Sequence, residues 1–543
     1  MRIIFSFILL FSLSAHSLFS QTIPKKPKLI VMVVVENMKY EYISRFYPHF
    51  SDFGFKKIMQ NGTSCTNVHI PFAYANPASA YTSIVTGSTP AEHGIIGSVW
   101  YNRILKKEEF AILDYAYNCV GCVNKKLFQV CPKKNLLTTF TDELELSSKG
   151  HAKTFSVGLT PESAVLMGGR LSDGVFWLDD KQGNWVTSSY FNDNIPQWLV
   201  SFNKKKLGDT YLSKTWTSKY PIAKYTQSLP DNTAFEIGFA GQNTFPYKLS
   251  ALQNTFSPYT ILTQTPFGNT FTKDLALNLI HREKLGQDSQ TDLLTISFTA
   301  LAEITHKFGS LSKEVQDCMI HLDDEINFLI RFLESHIGKE NFILVVTSTS
   351  GVEAPTEYLK QTKNEGREFK LIEATYILEK HLETKYGKGP WIEYYRSNQI
   401  YLNRDRIENH KISLRSIQEE STLFLQKLAG IHTVLTAQAM NSYGFNDNIK
   451  QRMSNSYNQK RSGDIFIELM PGWSEQTVNK VAQHSSTYTE TTHVPLFWYG
   501  WNIHTQKIHT SLSTTSIIPT LCEIVGIQRP NSSYGTYINI TEQ

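Results

Sequence analysis

The chain has 543 residues, with 53 Lys and Arg side chains against 49 Asp and Glu, which gives a formal net charge of +4. A charge this small gives no indication of a nucleic-acid or acidic-lipid surface. The length allows one large core with insertions, or two or three domains. Aromatic residues make up 12% of the chain, a high share that suits a well-packed secreted protein.

The N-terminus has the pattern of a cleaved export signal. Met1 and Arg2 precede IIFSFILLFSLSAHSLFS, an apolar run that is too short to span a bilayer and remain there. We predict a signal peptide at residues 1–20, cut near Ser20–Gln21, and a mature chain of residues 21–543. No cysteine follows the run, so a lipoprotein anchor is not expected. No later run approaches the roughly 20 apolar residues of a transmembrane helix.

The six cysteines fall into two groups. Cys119, Cys122 and Cys131 form a cluster that could hold a disulfide in an exported protein. A zinc knuckle is the alternative, although a fourth ligand is missing nearby, and the sequence leaves the pairing open. The other three lie in apolar patterns and are expected to be buried thiols: Cys65, Cys318 and Cys522.

After the export segment, the first strong structural signal is the continuous apolar run KLIVMVVV at Lys28–Val35. Such a run is typical of a strand that is buried on both faces of a parallel sheet. Similar runs predict strands at Phe155–Leu159, Leu293–Phe298, Phe342–Val346, Ile465–Leu469 and Val494–Tyr499. Helical periodicity marks Tyr40–Met59, Thr270–Leu285, Lys313–Ile337, Leu414–Leu428 and Thr514–Val525.

This alternation predicts an α/β fold with a central, mostly parallel sheet flanked by helices. In open sheets of this kind, binding sites lie at the carboxyl ends of the strands. No internal repeat or low-complexity linker divides the chain, so we expect one domain. Segments near residues 101–149, 185–266 and 353–460 lack a clean α/β rhythm and are predicted to be insertions.

The stretch from residue 70 to residue 102 predicts a short helix that begins at a sharp turn. Asn76 is suited to cap the free amides, and Pro77 suits the first helical position because it has no amide hydrogen. The helix is expected over Ala78–Val85 and ends at Thr86–Gly87–Ser88. A helix N-terminus that faces a cleft favours a nucleophile or a phosphate group.

The words TGSTPAEHGIIG at residues 86–97 and WYN at residues 100–102 resemble the alkaline phosphatase superfamily. They are most similar to its single-chain, zinc-dependent phosphomonoesterases of the Bacteroidetes type. Further similar words cover nearly the whole mature chain: GNWVTSSYF, PFGNTFTKDLALNLI, EKLGQDSQTDLLTISF, HKFG, THVPLFWYGW and IIPTLCEIVGI. The resemblance implies the fold of that superfamily, with the insertions forming a cap, and a site of two zinc ions around a hydroxyl nucleophile.

The same resemblance assigns the site positions, and most of them are substituted. The nucleophile position is Pro77, which has no hydroxyl. The metal-ligand positions are occupied by Glu36, Ala302, His306, Thr349, Ser350 and His484. Only Glu36, His306 and His484 are side chains that bind zinc, and Glu303, beside the lost position 302, is expected to point elsewhere.

The positions that would hold the phosphoryl oxygens are substituted as well: they are Ser98, Thr160 and Glu162. A carboxylate at position 162 would repel a phosphate. The hydroxyls of the helix itself, Ser79, Thr82 and Ser83, are expected to serve packing, and His93 is expected to be structural.

The joint substitution predicts a catalytically inactive protein that serves as a binding or scaffold component in the envelope of a Gram-negative bacterium. We expect a location in the periplasm or at the cell surface, one or more protein partners, no nucleic acid, and at most one residual zinc. One alternative is a metal-dependent hydrolase of phosphate esters with a rebuilt site that uses His306 and His484. A second is a ligand-binding module whose pocket is lined by the aromatic-rich insertions.

Overall fold

The computed structural model describes residues 26–541, apart from residues 254–255, 363, 365, 443, 476–479 and 482–485. The predicted signal peptide at residues 1–20 and the candidate ligand His484 therefore lie outside the described residues. At the centre of the fold is the strand Leu29–Val35, in which every residue is buried. It pairs in parallel with Asp292–Phe298 on one side and with Phe342–Ser348 on the other.

The central sheet has 11 strands. Its spatial order is Gln506–Ile508, Thr63–His69, His493–Gly500, Phe342–Ser348, Leu29–Val35, Asp292–Phe298, Thr154–Gly158, Gly174–Asp179, Asn184–Ser188 and Cys119–Val120, with Leu512–Ser513 also paired to Thr63–His69. The five strands from residue 342 to residue 179 in this order are parallel, and antiparallel strands flank them on both sides. The predicted α/β class with a mostly parallel central sheet is confirmed.

Helices cover both faces of this sheet because successive side chains of each strand point to opposite faces. Leu29, Val31 and Val33 enter one core, whereas Ile30 and Met32 enter the other. The first core is closed by the helices Pro266–Glu283, Ala300–Phe308 and Lys313–His336. The second is closed by Pro77–Thr86, Pro161–Gly168 and Ile517–Val525.

A four-stranded antiparallel sheet, here called the small sheet, forms a third core. Its order is Ile392–Arg396, Gln399–Leu402, Ile465–Leu469 and Ile431–Thr436. The helices Leu371–Tyr386 and Leu414–Leu425 pack on it. The run Ile465–Leu469 is thus a strand, but it belongs to the small sheet and not to the central one, because an apolar run does not specify its pairing partners.

The predicted helix Tyr40–Met59 is interrupted in the structure. It consists of Tyr40–Arg45, the 3-10 turn Tyr47–His49 and Phe55–Asn61. Pro48 lies in the 3-10 turn and Gly54 caps the last helix, and both residue types break a continuous helix. The predicted helix at Thr514–Val525 begins as the 3-10 turn Thr514–Ser516 and is α-helical over Ile517–Val525.

The remaining described elements are short. The further helices are Pro90–His93, Phe140–Ser148, Gln197–Asn203, Leu207–Leu212, Ile222–Lys224, Leu249–Leu252, Pro258–Thr263, Lys339–Asn341, Thr356–Gln361, Arg404–Asn409, Ala437–Ser442, Asn448–Ser456 and Thr489–Thr492. Three strand pairs complete the structure: Val99–Asn102 with Lys107–Phe110, Thr215–Trp216 with Tyr247–Lys248, and Arg367–Phe369 with Trp473–Glu475. Within the described residues, no helix is both long enough and apolar enough to cross a bilayer.

The cysteines follow one of the two arrangements left open by the sequence. Cys119 and Cys122 form a disulfide, and Cys131 is a buried thiol. The prediction of buried thiols is confirmed for Cys65, Cys318 and Cys522.

Candidate active-site cleft

A cleft of about 420 Å³ lies between the carboxyl edge of the central sheet and the first hairpin of the small sheet. It is lined by Glu36, Tyr74, Asn76, Pro77, Ser98, Val99, Glu303, His306, Arg396, Ser397, Asn398, Glu475 and Lys480. The structure therefore brings four of the sequence-predicted positions, Glu36, Pro77, Ser98 and His306, into one cavity.

Glu36 directly follows the central strand, and its backbone N–H donates to the carbonyl of Phe298 at 2.9 Å. Its carboxyl group is buried, and Oε1 accepts a hydrogen bond of 2.8 Å from the Tyr81 hydroxyl. Burial raises the pKa of Glu36 to about 8, with Glu303 and Glu162 adding to the rise. Glu36 therefore carries a proton at neutral pH.

A second carboxyl group, that of Glu162, is held in a similar way. The Ser98 hydroxyl donates to Glu162 Oε1 at 2.8 Å, and burial raises the pKa of Glu162 to about 7. Glu162 is therefore partly protonated near neutral pH, and it repels a phosphate less than a fully ionised carboxylate would. Thr160 is engaged differently, since its hydroxyl caps the helix Pro161–Gly168 by accepting from the backbone N–H of Ser163 at 3.2 Å.

The helix at the floor of the cleft, Pro77–Thr86, is built as the sequence predicts. Asn76 Oδ1 accepts from the backbone N–H of Ser79 at 3.2 Å, and the helix ends at Gly87, whose φ of 65° is left-handed. The Thr82 hydroxyl donates to the carbonyl of Ala78 at 2.8 Å. The helix hydroxyls therefore bond within the scaffold, and Pro77 brings no hydroxyl to the cleft.

His93 is structural, as predicted. Its Nδ1 accepts from the backbone N–H of Ile95 at 3.1 Å, so Nε2 carries the proton and donates to the Ser83 hydroxyl at 2.8 Å. Burial lowers the pKa of His93 to about 3, which keeps the ring neutral.

Hydrogen bonds occupy the place where the resemblance puts a pair of metal ligands. The Ser350 hydroxyl donates to Asn37 Oδ1 at 3.0 Å, and the Thr349 N–H donates to the carbonyl of Val35 at 3.2 Å. The Ser348 hydroxyl lies 2.7 Å from the same carbonyl and accepts from the backbone N–H of Met38. These contacts, here called the serine clasp, join the end of strand Phe342–Ser348 to the turn that carries Glu36.

The residues that the structure describes do not fit a two-zinc centre. A catalytic zinc requires at least three protein ligands. Across the described part of the chain, no group of three or more His, Cys, Asp and Glu side chains is arranged to hold a metal ion. Ala302 is buried on the helix Ala300–Phe308 and supplies no ligand atom. A single residual zinc that involves Glu36, His306 and His484 remains a prediction, since His484 is outside the described residues.

Several cleft residues were missed by the sequence reasoning. Glu303 does not point elsewhere but faces the cleft, one helical turn before His306, and burial raises its pKa. The spacing of three on a helix was the signal for this shared face. Lys480 lies close enough to lower the pKa of both Glu36 and Glu303. The hairpin residues Arg396, Ser397 and Asn398 were detectable only as polar residues between two strand-like runs.

Left-handed backbone conformations gather at this cleft in residues other than glycine. Tyr74, Ser397 and Asn398 have φ values of 55°, 48° and 57°, and Asn37, next to Glu36, has a φ of 60°. Tyr74 is bulky, so its positive φ is a genuine outlier. Each such residue costs of order 1–3 kcal/mol, and strain of this kind is concentrated at functional sites.

The comparisons with known proteins cover nearly the whole chain. The family model described as "Type I phosphodiesterase / nucleotide pyrophosphatase" matches residues 30–493. Alkaline phosphatase PhoV of Synechococcus elongatus is 30% identical over 524 residues, which are 96% of this chain and 94% of that protein. Alkaline phosphatase PafA of Elizabethkingia meningoseptica is 31% identical over 512 residues, or 94% and 93% of the two chains. The crystal structure of wild-type PafA covers 95% of this chain and 99% of its own, with a TM-score of 0.91 and 30% identity.

These matches overturn one expectation from the sequence. Relatives that match almost end to end are named alkaline phosphatases, and nothing in the comparisons indicates a loss of activity. The prediction of a catalytically inactive binding or scaffold protein is therefore wrong. The alternative of a phosphate-ester hydrolase with a rebuilt site agrees better with these relatives.

Proposed function

Since the chain belongs to the type I phosphodiesterase / nucleotide pyrophosphatase family, within the alkaline phosphatase superfamily, we propose that it hydrolyses phosphate esters at a rebuilt site in the cleft. One observation carries the proposal. The cleft combines a carboxyl group that is protonated at neutral pH, Glu36, with a histidine and a lysine, and Pro77 stands where the relatives' nucleophile is expected.

Water is the nucleophile in this proposal, because Pro77 cannot attack phosphorus. His306 lines the cleft and accepts the proton of the attacking water. The bond from the water oxygen to phosphorus forms while the ester P–O bond breaks, in a single displacement. No phosphorylated side chain is formed along this route.

Glu36 supplies the proton that the departing alcohol needs. Its Oε1 accepts the Tyr81 hydrogen bond, so the proton lies on Oε2. A neutral carboxyl group does not repel the phosphate, and it protonates the leaving oxygen as the P–O bond breaks. The Lys480 ammonium attracts the phosphoryl oxygens. Ser98, whose hydroxyl donates to Glu162, also lines the cleft.

No step of this route passes through a metal ion, because the described residues do not fit the two-zinc centre. A separate assay tests whether a residual zinc contributes to turnover. Turnover is measured on protein purified without chelator, before and after treatment with EDTA, together with the zinc content per chain.

The proposal is tested with the mature chain on a phosphate monoester and a diester between pH 5 and pH 9. We expect kcat/KM to fall as the pH rises through about 8, because Glu36 then loses its proton. Glu36→Gln and His306→Ala should each lower kcat/KM by about 10²–10⁴-fold. The matched control is His151→Ala, which removes an exposed histidine. Absence of turnover in the parent protein, or equal turnover in all variants, would contradict the proposal.

We further propose that residues 1–20 direct export to the periplasm or cell surface of a Gram-negative cell. N-terminal sequencing of the mature protein should begin at Gln21. A protein partner in the envelope remains a prediction.

A further inference from the structure

The wall of the cleft that faces Pro77 is the turn of a hairpin in the small sheet. Ile392–Arg396 and Gln399–Leu402 are joined by only two residues, Ser397 and Asn398. Both have positive φ, the geometry of a tight hairpin turn that usually carries Asn-Gly or a similar pair. Here a serine takes the place that a glycine or an asparagine would occupy without strain, so the turn presents two polar side chains at this position.

Asn398 is the residue of this wall whose buried side chain calls for a hydrogen-bond partner. Its side chain is almost fully buried, with 2% of the residue exposed, yet it lines the cleft. Its Oδ1 finds no hydrogen-bond partner among the described residues, while its backbone carbonyl accepts from Ile467 N–H at 2.8 Å. A buried amide oxygen without a partner is costly unless a ligand or water completes its hydrogen bonds.

The charge of this wall is largely compensated. Arg396 is paired with Glu108 at 3.0 Å. Burial raises the pKa of Glu475, which lines the same cleft, and Arg396 opposes part of that rise. Lys480, in contrast, acts on Glu36 and Glu303 at the reacting centre. The cationic part of the cleft therefore lies where the phosphoryl group would react, and the hairpin wall suits a polar group that carries no charge.

Few of the residues that line the cleft have apolar side chains. Val99, Pro77 and the ring of Tyr74 are the apolar members of the set, and the Tyr74 hydroxyl is already bonded to the carbonyl of Ile467 at 2.8 Å. The volume of about 420 Å³ accommodates a compact ligand. A long acyl chain does not find the room that it needs.

From these observations we propose that the substrates are phosphate esters of small, uncharged, hydroxyl-bearing alcohols, with the Asn398 amide binding a hydroxyl group of the alcohol. The inference rests on the proposed hydrolase function of the same cleft. Sugar phosphates and polyol phosphates are the chemical class concerned. Asn398 is a specificity-determining residue in this scheme, and the transfer of protons remains with Glu36 and His306.

Asn398→Gly is the best test, because glycine keeps the positive φ of the turn and removes only the amide. The probes are glycerol phosphate and glucose 6-phosphate, compared with phenyl phosphate, which offers no hydroxyl group beyond the ester. We expect Asn398→Gly to lower kcat/KM for the two hydroxylated esters about 10-fold or more, and that for phenyl phosphate less than about 2-fold. Asn398→Asp, which keeps the size but lacks the amide hydrogens, should weaken the same two substrates.

One control separates the Asn398 amide from asparagine substitution in general. Asn409→Ala removes an exposed asparagine of the helix Arg404–Asn409 and should change kcat/KM for none of the three substrates.

The outcomes distinguish the two proposals. If the parent protein hydrolyses none of the esters, the proposed function fails. If the parent hydrolyses them but Asn398→Gly lowers all three equally, or lowers none, the assignment of Asn398 is wrong while the hydrolase function stands. A parent that favours a nucleoside diphosphate or a long-chain alcohol ester would also overturn the assigned class of substrate.

Discussion

At the scale of single residues, the chemistry of the cleft depends on where a carboxyl group is buried. Glu36 could be located from the sequence, because it follows a strand that is apolar throughout. Its protonation could not be, since that depends on the burial and on Tyr81, a residue 45 positions away. Glu303 was predicted to point away from the site, because the resemblance assigns the metal ligand to position 302. The helix instead places residues 303 and 306 on one face.

The raised pKa of Glu36 makes the stability of the fold depend on pH. Between the ordinary pKa of about 4.5 and the folded value of about 8, the folded state holds a proton that the unfolded state releases. Stability contributed by this group therefore falls as the pH rises through that window. Glu36→Gln should remove the dependence, so we expect its Tm relative to the parent to increase by on the order of 2 °C between pH 5 and pH 8.

The control for this measurement is Glu408→Gln, which changes an exposed glutamate and should follow the parent at every pH. A constant difference between Glu36→Gln and the parent from pH 5 to pH 8 would show that the carboxyl group is already ionised in the folded protein.

At the scale of elements, the serine clasp is a set of hydrogen bonds at a place where the resemblance predicts metal ligands. Ser350, Thr349 and Ser348 tie a strand end to the turn of Glu36 through hydrogen bonds, where the resemblance expects metal ligands to converge. The absence of metal-binding side chains at positions 349 and 350 was readable from the sequence. The new bonds were not, because they join residues more than 300 positions apart. The pairing of Ile465–Leu469 with the small sheet escaped prediction for another reason, since an apolar run does not specify its partners.

Ser350→Ala tests the clasp. The substitution leaves Asn37 Oδ1 buried without the 3.0 Å hydrogen bond that it now accepts. We expect the free energy of unfolding to fall by about 1–3 kcal/mol, measured by chemical denaturation. Ser335→Ala, at an exposed hydroxyl, should change it by less than about 0.5 kcal/mol. Equal values for the two variants would mean that the clasp contributes nothing to stability.

At the scale of the whole molecule, the fold is held by two apolar cores on the central sheet and a third on the small sheet. Apolar runs and helical periodicity were enough to predict the α/β class, because a strand that is buried on both faces is apolar along its whole length. The cleft between the two sheets was not predictable in this way. It depends on how the hairpin at Ser397–Asn398 is positioned over the edge of the central sheet.

The apolar cores predict that folding is independent of zinc. Removal of metal with EDTA should shift the Tm by less than about 1 °C, because no described group of three ligands links the elements of the fold. The measurement is differential scanning calorimetry on protein purified without chelator, with and without added zinc. A fall of several degrees would identify a bound ion and would direct attention to Glu36, His306 and His484.

The position of the strand Leu29–Val35 has a consequence for how the protein is made. This strand leaves the ribosome well before both of its partners, Asp292–Phe298 and Phe342–Ser348. Seven consecutive apolar residues must therefore wait unpaired while the chain from residue 36 to residue 291 is synthesised. An exposed segment of this kind readily binds other chains and slows folding. Biogenesis thus demands that the nascent chain be kept from aggregating until residue 348 has emerged, and chains truncated before residue 292 should accumulate as insoluble material.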